Sequence, residues 1–261
     1  MTVLEICIDS VESAIAAETG GAQQVELCSA LIEGGLTPSL GLIRAVRSRI
    51  AIGLHVMIRP RSGDFLYSND EFAVMQEDIR LAAQAGADGV VFGILTDSDD
   101  VDVERTRALV QLARPMEVTF HRAIDVTRDL AEALESIVRT GADRILTSGA
   151  EPSAMAGRHT IEKLVRLANG RIRIMAGGNV RPQNLAEIAK ASGAVEYHAA
   201  LRHAVPALHQ QQLKRIHLGD PRVDCSRTIV RAADVHKLRQ VLDAVPALSV
   251  TPSPIKLNAV D

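Results

Sequence analysis

The sequence has no tryptophan, and aromatic residues make up only 2% of its 261 residues. Since apolar residues still make up 47% of the chain, a core has to be packed mainly from Val, Ile, Leu and Ala. The net charge of -3 excludes the strong positive field that nucleic acids and anionic membranes attract. No apolar run approaches the roughly 18 residues of a membrane span. The first strand-like run follows Met1 so closely that we also expect no signal peptide.

Cysteine is scarce as well. The three thiols belong to Cys7, Cys28 and Cys225. An odd number in a chain without secretion signals does not indicate a disulfide framework, so we expect reduced thiols and a cytoplasmic protein. The sequence assigns no role to Cys225.

Short strand-like runs alternate with amphipathic helical segments eight times. The strands are predicted at residues 3–9, 24–29, 52–59, 89–94, 117–122, 144–148, 171–177 and 195–199. The helices are predicted at residues 10–19, 38–49, 68–85, 103–113, 130–140, 161–168 and 182–190, with a final helical region ending near residue 245. Eight such units in a chain of this length predict an α/β fold, a (β/α)8 TIM-like barrel of parallel strands. The alternative is an open doubly wound sheet, but no glycine-rich dinucleotide motif follows the first strand.

Helix boundaries carry local signals. Thr37 followed by Pro38 predicts the start of the second helix, and Ser68 with Glu71 predicts a capping box. Glycines are predicted to end four helices in left-handed caps: Gly20, Gly86, Gly141 and Gly193. We see no domain boundary and expect one barrel domain over residues 1–248. Residues 249–261 carry two prolines and no apolar period, which predicts a disordered tail.

The strands place an unusual set of side chains inside this barrel. If the branched aliphatic residues face the helices, the alternate positions face the interior. Those positions are Glu5, Cys7, Glu26, Cys28, His55, Met57, Arg59, Thr119, His121, Arg173, Met175, Glu196 and His198. Buried charges are tolerated when they pair with one another or bind something. The set is therefore either an internal network, in which Arg59 or Arg173 neutralises the glutamates, or a ligand site. Strands four and six show no such polar bias.

Loops after the strands add cationic and backbone N–H groups at the mouth of the barrel. The predicted ligand-binding residues, taken from the interior and these loops, are His55, Arg59, Arg61, Arg122, Ser148, Gly177, Gly178 and Glu196. Such groups favour an anionic ligand, and barrels often bind phosphate near strands seven and eight.

Several sequence blocks resemble the CutC family of copper homeostasis proteins. They are residues 4–10, 26–29, 34–39, 57–61, 63–65, 89–93, 119–123, 143–149 and 196–198. The resemblance implies a TIM-like barrel, a cytoplasmic homo-oligomer (dimer or tetramer) and a role in copper handling through Cu(I). No catalytic reaction is attached to it. The chain departs from the family pattern at Ala199 and Ala200, where members often carry serine, and this removes a hydroxyl ligand for a phosphate.

Two functions remain open at this point. Cys7 and Cys28 face inward on strands one and two, and thiolates suit Cu(I), although buried cysteines usually act as small apolar residues. Alternatively, Glu5, Glu26, His121 and His198 supply general acids and bases to a lyase, isomerase or hydrolase. Its substrate would be a small anionic or phosphorylated metabolite at the barrel mouth.

Overall fold

Eight parallel strands close into a barrel in the computed structural model, which describes residues 2–206 and 226–245. The strands are β1 Val3–Ile8, β2 Gln24–Leu27, β3 Gly53–Met57, β4 Gly89–Phe92, β5 Glu117–Phe120, β6 Arg144–Thr147, β7 Arg173–Ala176 and β8 Glu196–Ala199. β1 pairs in parallel with both β2 and β8, which closes the ring. The TIM-like barrel predicted from the sequence is confirmed.

Helices surround the barrel. They are α1 Val11–Thr19, α2 Leu40–Arg47, α3 Asn69–Gln84, α4 Val103–Ala113, α5 Leu130–Thr140, α6 Arg158–Ala168, α7 Leu185–Ser192 and α8 Ala232–Asp243. Short 3-10 helices occupy the loops after β2 and β5, at Leu31–Glu33 and Arg122–Val126. In the described part of the chain, no helix has the length and apolar character needed to cross a bilayer.

A two-stranded antiparallel sheet outside the barrel was not predicted. It pairs β9 Arg202–Pro206 with β10 Ser226–Val230. The strand β10 leads into α8, which packs against α1 and α7 and so completes the helical layer. The hydroxyl of Ser13 in α1 accepts a hydrogen bond from the backbone N–H of Val230 at 3.1 Å. The tail predicted at residues 249–261 lies outside the described residues, as does Cys225.

Two of the predicted boundary signals, at Thr37 and Gly20, are wrong, and the sixth and seventh helices begin at Arg158 and Leu185, three residues from their predicted starts at 161 and 182. The second helix begins after Ser39, whose side chain accepts a hydrogen bond from Leu42 N–H, and not after Thr37. The Thr37 hydroxyl instead accepts from Arg59 N–H at 2.9 Å, which ties the loop after β2 to the end of β3. Gly20 ends α1 with φ -78°, and the left-handed residue is the next one, Gly21.

The other boundary signals hold. The capping box of Ser68 and Glu71 is present at the start of α3. Left-handed glycines follow three helices, as predicted: Gly86, Gly141 and Gly193. Gly20 serves packing, because a Cβ added there would lie 2.4 Å from the Cβ of Val235 in α8. The absence of a side chain lets α8 approach the end of α1.

The apolar side chains on the two faces of the strands form two separate clusters. Leu4, Ile6 and Ile8 of β1 belong to the large core between the barrel and the helices. A second, smaller cluster lies apart from that core and consists of Cys7, Cys28, Met57 and Val91. On β1 to β3 the branched aliphatic residues therefore face the helices and the sulfur-bearing residues face the barrel interior, which Val91 of β4 also faces.

The amino end of the barrel carries a ring of two arginines and two glutamates. Glu117, Arg144, Arg173 and Glu196 are the first residues of β5, β6, β7 and β8. Arg144 contacts Glu196 and lies 3.2 Å from Glu117, while Arg173 lies 2.9 Å from Glu117 and 3.3 Å from Glu196. Arg144 also donates to the hydroxyl of Thr119 at 3.1 Å. Charges therefore alternate around a closed circuit, and this part of the interior is an internal network.

We expect Arg144→Met to destabilise the barrel by about 3–5 kcal/mol, because Glu196 then remains buried without its closest cation. The free energy of unfolding in urea measures this loss. Arg166→Ala is the matched control, since Arg166 pairs with Glu162 on the surface and is 77% exposed. That control should cost less than about 1 kcal/mol.

The double variant Arg144→Met/Glu196→Leu should recover part of the loss, because it removes the buried unpaired charge together with its partner. Equal stabilities for Arg144→Met and Arg166→Ala would contradict the role given to the ring.

Candidate functional site

The carboxyl half of the barrel interior brings one thiol, one carboxylate and one imidazole together. Cys7 of β1 stands level with Glu26 of β2, and Glu5 of β1 stands level with His198 of β8. Ligand atoms of Cys7, Glu26 and His198 all lie within 4.8 Å of one another. We call these three residues the donor cluster. Parallel pairing in this register explains the juxtaposition, because all three side chains point to the same face of the sheet.

Glu5 and Gln24 hold the imidazole of the donor cluster in place. The Oε1 atom of Glu5 lies 2.8 Å from Nδ1 of His198, and its Oε2 atom accepts from Gln24 at 2.6 Å. Burial by itself raises the pKa of Glu5, but the hydrogen bond and charge of His198 outweigh it and lower that pKa to about 2. Burial likewise lowers the pKa of His198, yet the nearby Glu26 carboxylate, Cys7 and Glu5 raise it well above its usual value. His198 is therefore a cation between two carboxyl groups.

The two thiols differ in their ionisation. A hydrogen bond from Cys28 lowers the pKa of Cys7 well below its usual value. The same hydrogen bond, together with burial, raises the pKa of Cys28. Burial also raises the pKa of Glu26, whose Oε2 lies 3.5 Å from the sulfur of Cys28. Cys7 is thus the thiolate of the pair. The Oε1 atom of Glu26 is buried and has no hydrogen-bond partner among the described residues.

The loop after β2 covers these sulfurs. Gly35 has φ +93°, and a Cβ added there would lie 3.1 Å from the sulfur of Cys28. Only glycine combines this backbone conformation with so close an approach. Met57 packs beside Cys28 in the inner apolar cluster. The sulfur-bearing side of the site is therefore shielded from water.

A cavity of about 470 Å³ opens from the donor cluster toward the carboxyl end of the barrel. Cys7, Glu26 and His198 form part of its lining, and the loops contribute Arg59, Phe65, His121 and Arg122. Arg59 does not neutralise the interior glutamates, as one interpretation of the sequence had it. Its guanidinium donates to backbone carbonyls of the loops after β2 and β3, those of Glu33, Gly35 and Gly63.

The other predicted ligand-binding residues are divided between the cavity and other places. Gly178 lines the cavity, whereas His55 and Glu196 lie with the charged ring at the amino end. Arg61 lies outside the cavity and pairs with Glu71 at 2.6 Å. Gly177 packs against Leu146 and His198, where an added Cβ would lie 2.5 Å from Leu146 Cδ1.

The N–H groups after β6, which could bind an anion, already hold a carboxylate of the chain itself. Asp125 accepts from the backbone N–H groups of Ser148 and Ala150 and from the hydroxyls of Thr147 and Ser148. Arg122 pairs with the same carboxylate at 2.7 Å. Ser148 is fully buried in this arrangement. The N–H and hydroxyl groups of Ser148, a predicted ligand-binding residue, therefore bind Asp125 in this structure.

Sequence reasoning missed three residues that shape the interior. Arg144 and Leu146 occupy the inward-facing positions of β6, and Ile145 between them faces the helices. Because Leu146 is as apolar as Ile145, the alternation did not show which side of this strand faces inward. Asp125 sits in a short 3-10 helix where no strand alternation applies. Phe65 follows Gly63 and Asp64 in a loop, and its contact with His121 joins segments far apart in sequence.

Comparisons with known proteins agree on one family. The model of the CutC family matches residues 2–203. A human protein named copper homeostasis protein cutC homolog is 45% identical over 237 residues, covering 91% of this chain and 86% of its own. The mouse protein of that name is 50% identical over 200 residues, covering 77% and 74%. A solved CutC structure from Streptococcus agalactiae superposes with a TM-score of 0.72 at 33% identity, covering 76% of this chain and 98% of its own.

We expect the His121 imidazole to stay neutral between about pH 5 and pH 8. Burial, with the charge of Arg59, lowers its pKa from 6.5 to about 3. Its ring 15N chemical shifts, assigned by comparison with His121→Gln, should therefore not change over this range. A titration midpoint near 6.5 would show that the ring is open to water.

Proposed function

Because this chain belongs to the CutC family, whose relatives are named for copper homeostasis, we propose that it binds Cu(I) at the donor cluster. Cys7 and Cys28 would supply the sulfur ligands, and His198 would supply the nitrogen ligand after its Nε2 proton is released to solvent on metal binding. The observation that carries the proposal is the convergence of Cys7, Glu26 and His198 within 4.8 Å.

The donor atoms fit a soft cation. Cu(I) prefers thiolate and imidazole ligands, and the lowered pKa of Cys7 favours its thiolate form. Cys28 lies outside the group of three, but its thiol donates to Glu26 Oε2 at 3.5 Å and it shares the inner apolar cluster with Cys7, which supports a second sulfur close to the first. The buried Oε1 of Glu26, which has no partner among the described residues, leaves an oxygen available to a cation in this enclosed space.

Glu5 supports the proposal from behind the imidazole. Its carboxylate binds Nδ1 of His198, which leaves Nε2 directed toward Glu26 at 3.7 Å. A carboxylate behind a histidine fixes the ring and strengthens it as a metal ligand. In this function Glu5 orients His198, while Glu26 and His198 belong to the metal site. Of the four possible acids and bases named from the sequence, Glu5, Glu26 and His198 thus have roles at the metal site, and His121 has none there.

The proposal includes location and assembly. In the cytoplasm the free thiols of Cys7 and Cys28 stay reduced, as Cu(I) binding requires. We also propose a homo-oligomer, a dimer or tetramer, which light scattering on the purified protein tests directly. A monomer at all concentrations would contradict this part alone.

An anaerobic Cu(I) titration against a competing chelator tests the metal site. We expect Cys7→Ser/Cys28→Ser to weaken Cu(I) binding by at least about 100-fold, because the soft ligands are lost. Cys225→Ser is the matched control and should bind Cu(I) like the wild type. Unchanged affinity in the double variant would overturn the site.

A further inference from the structure

The cavity above the donor cluster is far larger than a metal ion. Its volume is about 470 Å³, which is in the range that small organic ligands occupy in proteins. A Cu(I) ion at Cys7 would use only the floor. The upper wall consists of Arg59, Phe65 and His121, and these residues have no part in the proposed metal site.

Two N–H donors in this upper wall lack partners. Nε of Arg59 and Nε2 of His121 are buried and make no hydrogen bond within the described part of the chain. Their residues are only 6% and 5% exposed. A buried donor without an acceptor costs about 1–3 kcal/mol, so such groups in a cavity point to a ligand with acceptor atoms.

The tautomer of His121 is fixed. Its Nδ1 accepts a hydrogen bond from Ala123 N–H at 3.2 Å, so in the neutral ring the proton is on Nε2. Burial keeps the ring neutral, since the pKa falls to about 3. His121 is therefore a permanent hydrogen-bond donor and not a proton shuttle.

The charge on Arg59 calls for an anion. Its two Nη groups donate to neutral carbonyls, and no carboxylate among the described residues forms a salt bridge with it. Arg59 and His121 also lie against the same ring, since Phe65 is 5.2 Å from the guanidinium carbon and 4.9 Å from the imidazole centroid. One buried cation, one neutral donor and one apolar ring are thus grouped on one wall.

We propose that this wall binds a small organic carboxylate, whose oxygens accept from Arg59 Nε and His121 Nε2 while its carbon skeleton packs on Phe65. The site is separate from the proposed copper site and does not depend on it. Two N–H donors suit the two oxygens of a carboxylate.

A phosphate group fits less well. The backbone N–H groups of Ser148 and Ala150, which could otherwise bind one, are occupied by Asp125. Ala199 at the end of β8 and Ala200 after it have no hydroxyl groups. The structure therefore favours a carboxylate over a phosphate.

Succinate, benzoate and inorganic phosphate, added to the metal-free protein at up to about 10 mM, test the site. We expect at least one carboxylate to raise the melting temperature and to shift the His121 ring 15N signals, with no such effect from phosphate. If neither carboxylate acts, or if phosphate acts equally well, the proposal is overturned. The wild-type signal is decisive even where a variant folds poorly.

His121→Phe should weaken the binding of the active carboxylate by about 10- to 100-fold, because a hydrogen bond to a charged group is lost. Arg61→Ala is the matched control, since Arg61 is in the same loop as Arg59 but outside the cavity. Wild-type carboxylate affinity in His121→Phe would contradict the assignment.

The two sites can fail separately. Cys7→Ser/Cys28→Ser should still bind the carboxylate, and His121→Phe should still bind Cu(I). Loss of both ligands in either variant would mean one shared site and would overturn the separation proposed here.

Discussion

The contact between Arg144 and Glu196 sets the conditions for the rest of the barrel interior. Both side chains are almost fully buried, so neither can exchange its partner for water. Glu117 and Arg173 extend the pair into a closed ring, which satisfies the charges of four strand ends at once. With the amino end neutralised in this way, the remaining ionisable groups have to find partners nearer the carboxyl end. They find them in His198, which lies between Glu5 and Glu26.

The upper half of the interior balances its charges less completely. His198 compensates the glutamates beside it, and Asp125 is held by its own loop and Arg122. Arg59 receives only neutral carbonyl oxygens, and Glu26 keeps one carboxylate oxygen without a partner. These incomplete positions face one cavity. A folded chain tolerates such groups where a ligand is bound, and this coincidence connects the architecture with the two binding sites proposed.

Much of this architecture could be predicted from the sequence, because strand alternation is a local rule. The phase of β1, with Leu4 and Ile6 toward the helices and Cys7 inward, followed from side-chain periodicity alone. The rule failed on β6, where Leu146 takes an inward position and hides the polar phase that Arg144 begins. Partners across the barrel could not be predicted either. Which glutamate Arg173 meets, and that Asp125 fills the loop after β6, depends on distances between segments remote in sequence.

The charged ring also fills the amino end of the barrel with side chains that pair with one another. Cys7 lines the same cavity as Arg59 and His121, so a metal ion that approaches from the carboxyl end of the barrel passes the wall these two residues form. A carboxylate bound at that wall would lie between the metal ion and the carboxyl end of the barrel. The metal ion would then have to bind before the carboxylate and dissociate after it.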